Sequence, residues 1–130
     1  MANALYPSFK ELILAMLSSD TIKVALIDTG TYTYSSAHNY YDDVSGVIGT
    51  PQTLASKTIT GGVFDAADVT FTAVSGATVE AYVVYKDTGT PSTSPLIAYF
   101  DSASSGLPVT PNGGDITITF DNGASKIFAL

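Results

Sequence analysis

The sequence predicts an all-β protein with one short α-helix at its N-terminus. Short stretches of alternating apolar and polar residues recur through most of the chain, and Gly, Pro, Asn and Asp separate them. Eleven Gly and eight Tyr, with abundant Ser and Thr, suit strands joined by many turns. The length of 130 residues fits a single domain (1–130), divided into an N-terminal helical segment (1–20) and a β-sandwich (21–130).

The stretch YPSFKELILAMLSSD (6–20) predicts the helix. Five of its apolar residues fall at i, i+3, i+4, i+7 and i+8, which places them in a single stripe: Phe9, Leu12, Ile13, Met16 and Leu17. We expect this stripe to pack on the sheet of the same chain. Docking of the stripe on another subunit is the alternative.

About eight strands are predicted after the helix. They cover 21–28, 32–34, 52–60, 68–74, 78–88, 95–101, 115–121 and 125–130. In the first of them, Ile22, Val24 and Leu26 should face the same way. This spacing, with almost no helix between strands, favours a β-sandwich or barrel over a parallel α/β sheet.

The last two strands should form a closing β-hairpin. Between them, Asp121-Asn122-Gly123 supplies the residues that tolerate positive φ. The Asp and Asn residues of this ending are also ligand types for Ca²⁺. Because Asn-Gly between two such alternating runs is a strong hairpin signal, we interpret them as turn residues.

Charge and composition limit the possible partners. The chain carries five Lys, no Arg and a net charge of −7, so we expect it to bind no nucleic acid. No Cys is present, which excludes disulfides and thiolate chemistry. We find no signal-peptide pattern and no apolar run long enough for a membrane span, and therefore expect a soluble protein made in a cytoplasm. Charged residues make up only 13%, and we expect much of this weakly charged surface to be covered in an assembly.

Candidate catalytic residues are sparse. His38 is the single histidine, and we interpret it as a surface or turn residue, although Ser35, Ser36 and the Asp42–Asp43 pair are close in sequence. Most carboxylates fall at predicted strand ends or turns, and no Trp is available as a sugar platform. The Asp42–Asp43 pair and the run FDAAD (64–68) could ligate Ca²⁺, but both suit turns equally. We expect no enzymatic activity, no cofactor and no metal.

The whole pattern resembles a family of small virion proteins of tailed bacteriophages. The resemblance covers nearly the entire chain and is carried by MANALYPSFKE, DTIKVALIDTGTYT, FDAADVTFTAVSGATVEAYVVYKDTGT and GLPVTPNGGDITITFDNGASKIFAL. Its most specific parts are VEAYVVYKDTGT (79–90) and LPVTPNGGDITITFDNG (107–123). These resemble capsid cement, or decoration, proteins, which bind the outside of a mature shell, often through a jelly-roll-like antiparallel β-sandwich. The loop at residues 38–51 departs from the pattern, which has a longer turn there.

The resemblance implies a phage structural protein that binds the major capsid protein on the outer capsid surface of the virion and stabilises the mature head. It would also bind itself, as a homodimer or homotrimer, after synthesis in the bacterial host cytoplasm. Because aromatic residues anchor interfaces, Tyr6, Phe9, Tyr40 and Tyr41 are the interface candidates. The alternative is a tail or baseplate module that binds cell-surface glycans.

Overall fold

The computed structural model describes residues 3–101, 103, 107–120, 123 and 126–130. Within these residues the chain forms two short helices and nine strands. They are α1 (Pro7–Leu14), α2 (Met16–Ser19), β1 (Ile22–Ile27), β2 (Val47–Thr53), β3 (Thr58–Thr60), β4 (Val63–Asp65), β5 (Val69–Phe71), β6 (Ala81–Lys86), β7 (Leu96–Phe100), β8 (Ile116–Ile118) and β9 (Phe128–Ala129). Two 3₁₀ turns, Tyr41–Asp43 and Pro91–Thr93, interrupt the loops.

The strands form three antiparallel sheets. The main sheet has the order β2-β1-β6-β7, and the two smaller sheets have the orders β3-β4-β9 and β5-β8. β1 and β6 are central in the main sheet, and their residues are almost all buried because both faces are covered. The predicted all-β class with a short N-terminal helix is therefore confirmed.

Two apolar clusters cover the two faces of the main sheet. The main core lies between this sheet and the smaller sheets, and it includes Val24 and Val84 together with Phe64, Phe71 and Ile118. Complete burial of each of these large side chains contributes about 1.5–3 kcal/mol relative to exposure.

The second core lies on the opposite face of the main sheet, where the loop between β1 and β2 covers it. Ala25, Ile27 and Val83 belong to this cluster, while Ile22, Val24 and Leu26 all belong to the main core. The predicted common orientation of the latter three residues is thus confirmed.

Some predicted strands are wrong. Residues 32–34 form no strand, and Tyr32 is instead buried in the second core. β2 begins at Val47, where the sequence predicts no strand, and the predicted strand 52–60 is split between β2 and β3. Ser56, with φ 54°, lies between the two parts, and this left-handed conformation breaks the extended backbone.

The predicted C-terminal hairpin is also wrong. Ile116 in β8 pairs with Phe71 in β5, and Phe128 in β9 pairs with Phe64 in β4. The alternation of apolar and polar residues indicates which residues form strands. Which strands pair is determined by contacts between residues that are distant in sequence. Two residues of the predicted turn, Asp121 and Asn122, lie outside the described residues.

Among the helices in the described part of the chain, none combines the length and the hydropathy needed to cross a lipid bilayer.

Candidate functional site

The turn between β3 and β4 fixes the orientation of the N-terminal helix. The Glu11 carboxylate accepts a hydrogen bond from the backbone N–H of Gly61, and the Lys10 stem lies directly against Gly62. One turn further along, Leu14 and Leu17 are buried in the main core. The face that contacts the sheet layer therefore combines two charged residues with two leucines.

The opposite face of the helix is apolar and exposed. We call it the apolar helix face, and it consists of Phe9, Leu12 and Ile13 of α1 and Met16 of α2, together with Leu5 and Tyr6, which directly precede α1. Tyr6 is 80% exposed and Leu12 is 72% exposed, whereas Leu17 is only 5% exposed. The expectation that the helical stripe packs on its own sheet is therefore wrong for four of its five residues and right for Leu17. Periodicity identified an apolar face, but the contacts of Lys10 and Glu11 turn that face outward.

The Tyr40–Tyr41 segment is held by Asp43. The Oδ2 atom of Asp43 accepts hydrogen bonds from the backbone N–H groups of Asn39, at 2.9 Å, and Tyr40, at 3.2 Å. These bonds favour the ionised carboxylate and lower the pKa of Asp43. The Tyr41 N–H donates to the Ser94 carbonyl at 2.9 Å, which ties the segment to the loop before β7.

Tyr40 and Tyr41 differ in exposure. The Tyr40 side chain is 43% exposed, whereas the Tyr41 ring stacks on Tyr85 with a centroid distance of 4.0 Å and an interplanar angle of 9°. Burial raises the pKa of Tyr41. Tyr41 therefore contributes to the second core, and Tyr40 presents its side chain to solvent.

The four predicted interface residues do not form one patch. Tyr6 and Phe9 belong to the helix that packs on the main core, and Tyr41 packs on the second core, across the main sheet. The structure thus brings Tyr6 and Phe9 together, with Leu12 and Met16 of the predicted stripe as exposed neighbours that are not among the four interface candidates. Their exposure could not be read from the helical pattern alone.

A pocket of about 330 Å³ opens beside the edge strand β7. Its wall is formed by the 32–38 loop, and its floor includes Val83 of β6 and Leu96 of β7. We call it the aromatic pocket, because three tyrosines line it together with one histidine and two serines: Tyr32, Tyr34, Tyr99, His38, Ser35 and Ser36.

Aromatic contacts order this pocket. The Tyr32 hydroxyl lies 2.8 Å from Nδ1 of His38, so the half-buried imidazole is held in place by a hydrogen bond. The Tyr34 and Tyr99 rings stack at 5.3 Å with an interplanar angle of 20°. The sequence predicts a surface or turn position for His38 and a strand at Tyr32. The run YTYSSAH, which concentrates aromatic and hydroxyl residues before the single histidine, is the signal that could have found this pocket.

The electrostatic surroundings of the pocket are acidic. Burial raises the pKa of Tyr32, and the Asp43 carboxylate adds to this shift. Burial likewise raises the pKa of Tyr99, with Asp101 and Glu80 adding to it. Both hydroxyls therefore remain protonated well above neutral pH, as hydrogen-bonding groups rather than nucleophiles.

Two of the aspartates that the sequence offered as calcium ligands accept hydrogen bonds from backbone N–H groups. Asp68 Oδ1 accepts a hydrogen bond from the Phe120 N–H at 3.0 Å, and Asp115 Oδ1 accepts one from the Ala73 N–H at 3.1 Å. Across residues 3–101, 103, 107–120, 123 and 126–130, no group of three or more acidic or histidine side chains is arranged to hold a metal ion.

Neither the family models nor the curated proteins compared with this chain gave a match.

Proposed function

We propose that this protein is a non-enzymatic capsid cement protein of a tailed bacteriophage, which binds the major capsid protein on the outer surface of the mature head. The observation that carries the proposal is the apolar helix face. Apolar residues cluster on one side of a helix whose other side is fixed to the β3–β4 turn by Lys10 and Glu11. A contiguous apolar surface of this kind is typical of a protein interaction site.

The proposed mechanism is burial of apolar surface across a boundary between capsid subunits. A specific interface buries on the order of 1,600 Å² in total, and large side chains such as Tyr6, Phe9 and Leu12 supply apolar area efficiently. Separation of two capsid subunits bridged in this way would expose that area again. A homodimer or homotrimer would present several such helices at once, so that weak individual contacts act together.

The net charge of −7 supports a position outside the shell. Packaged DNA would repel an acidic protein, whereas a basic patch on a capsid subunit would attract it. Two of the acidic side chains form ion pairs, Asp20 with Lys86 at 3.3 Å and Asp87 with Lys23 at 3.0 Å.

We also propose the finer fold, a jelly-roll-like antiparallel β-sandwich. A main core shared between the main sheet and the two smaller sheets supports a two-layer arrangement. The short strands β3, β4, β5, β8 and β9 would then form the second layer.

Co-sedimentation with expanded capsids tests the docking role. Wild-type protein should pellet with capsids, and Leu12→Ser and Phe9→Ser variants should be lost from the pellet. Thr117→Ser serves as the control, because Thr117 is exposed on the small β5-β8 sheet. Normal capsid binding by both helix variants would overturn the proposed docking face. Virions that lack this protein but resist heat and osmotic shock like wild type would overturn the cement function.

The second candidate function is a tail or baseplate module that binds cell-surface glycans. The aromatic pocket favours it, since stacked tyrosines and hydroxyl groups suit sugar binding. Copy number in purified virions separates the two candidates. Hundreds of copies per particle are expected for cement, and a small multiple of the tail symmetry for a tail module.

A further inference from the structure

The aromatic pocket combines an exposed ring with hydrogen-bonding groups. Tyr34 is 56% exposed, and because one face of its ring lies against Tyr99, the other face is available to a ligand. Ser35, Ser36 and His38 line the same pocket and supply two hydroxyls and an imidazole. A volume of about 330 Å³ lies at the small end of the range for small-molecule sites.

We propose that this pocket binds a neutral saccharide unit. The sugar's apolar face would stack on Tyr34, and its hydroxyls would hydrogen-bond with His38 and the neighbouring serines. This inference deepens the second candidate function and is independent of the docking of the apolar helix face.

His38 keeps one ring nitrogen for a ligand. Its Nδ1 is hydrogen-bonded to the Tyr32 hydroxyl at 2.8 Å, which leaves Nε2 as a donor in one tautomer and an acceptor in the other, and a sugar hydroxyl pairs with either. The tilted contact between the two rings, at 5.4 Å, fixes the imidazole plane as well. A ring held in one orientation loses little conformational entropy when a ligand binds.

The charge distribution selects a neutral ligand over an anion. His38 is the only basic residue among the side chains that line the pocket in the described part of the chain. The charged groups that act on its tyrosines are Asp43, Glu80 and Asp101, and all three would repel a phosphate or a carboxylate.

Ring geometry argues against a quaternary ammonium ligand. A cation cage requires several ring faces around one open centre. Here Tyr34 and Tyr99 face each other, with an interplanar angle of 20°, so their facing sides are already occupied. The pocket therefore offers one free aromatic face, on Tyr34, beside hydrogen-bonding side chains. A sugar has an apolar face and hydroxyl groups that match these two features.

Titration of the full-length protein with methyl glycosides, followed by NMR, tests the proposal. The probes are the methyl glycosides of glucose, galactose and mannose, with N-acetylneuraminic acid and choline as charged comparators. We expect at least one neutral glycoside to bind with a millimolar or lower dissociation constant and to shift resonances of Tyr34, Ser36 and His38. Tyr34→Ala and His38→Ala should each weaken binding by about tenfold or more.

Tyr6→Ala is the matched control, because Tyr6 is also an exposed tyrosine but lies on the helix. It should leave glycoside affinity unchanged. Three results would overturn the proposal: no shift with any neutral glycoside, binding that survives both pocket substitutions, or binding of choline or N-acetylneuraminic acid in preference to the glycosides. Absence of glycoside binding by the wild-type protein, together with intact capsid binding, would refute the pocket inference and leave the cement function standing.

Discussion

Lys10 lies so close to Gly62 that a Cβ atom at position 62 would come within 2.7 Å of the Lys10 Cδ atom and 2.8 Å of its Cβ atom. Real side chains do not approach this closely, so the helix can reach the β3–β4 turn only because position 62 is glycine. Next to this contact, the Gly61 N–H donates to Glu11 across 50 residues of sequence. Together, the two contacts determine which face of the helix meets solvent.

Gly62→Ala should displace the helix and lower the free energy of unfolding by more than the backbone strain alone. A left-handed alanine costs about 1–2 kcal/mol, and the clash with Lys10 adds to it. Gly113→Ala is the matched control, since Gly113 has φ 88° against 86° for Gly62 but nothing within 4 Å of its added Cβ. Chemical denaturation measures both variants. Equal losses would show that the Lys10 contact contributes nothing.

Substitutions on the two faces of the helix should differ strongly in their effect on stability. Leu14→Ala should cost about 2–5 kcal/mol of stability, because Leu14 is buried in the main core. Leu12→Ser should change stability by less than about 0.5 kcal/mol, because its side chain is exposed. Thermal unfolding of the isolated protein gives both values. A large loss for Leu12→Ser would mean that the apolar helix face is covered within the protein itself.

Acid should loosen the segment that carries Tyr40. Hydrogen bonds from the N–H groups of Asn39 and Tyr40 lower the pKa of Asp43 below its usual value of 3.8. Because the pKa of Asp43 is lower in the folded protein than in the unfolded chain, this stabilisation is fully present above the unfolded-state pKa. It is lost as the pH falls through the folded-state pKa. An NMR titration of the Asp43 carboxyl and the two amide groups follows the change. In Asp43→Asn the amide shifts should lose this pH dependence; its persistence would assign it to another group.

Alkaline pH should destabilise the protein through Tyr82. Burial raises the pKa of Tyr82 from 10.0 to about 12. The folded state therefore holds this proton more tightly than the unfolded chain, so stability is complete below pH 10 and falls as the pH rises from there towards 12. Tyr82→Phe should shift alkaline unfolding to higher pH, as monitored by tyrosinate absorbance and circular dichroism. An unchanged alkaline midpoint would contradict this role.

Asp68 should act as a structural acceptor rather than as a metal ligand. Asp68→Ala removes the acceptor for the Phe120 N–H and should cost about 1–2 kcal/mol. Asp68→Asn keeps an oxygen in the same place and should cost less. Neither Ca²⁺ nor EDTA should change the melting temperature of the wild type. Stabilisation by Ca²⁺ that disappears in Asp68→Ala would assign a metal site to this aspartate instead.

Local pattern was enough to predict much of the fold. The alternation in TIKVALID and the apolar density of AYVVYK indicated β1 and β6, and both became central strands of the main sheet. The helix was evident from its periodicity and from Pro7 near its start. These features depend on residues within a few positions of one another. They can therefore be predicted from the sequence without the tertiary structure.

Strand pairing, helix orientation and the aromatic pocket were decided by the tertiary structure. β8 pairs with β5, so Ile116 lies opposite Phe71, and both side chains are buried in the main core. The helical stripe faces solvent because Glu11 bonds to Gly61, and His38 reaches its pocket because Tyr32 is buried beneath the loop. Each of these depends on groups that meet only in the folded chain, and local periodicity carries no information about which distant residue will be the partner.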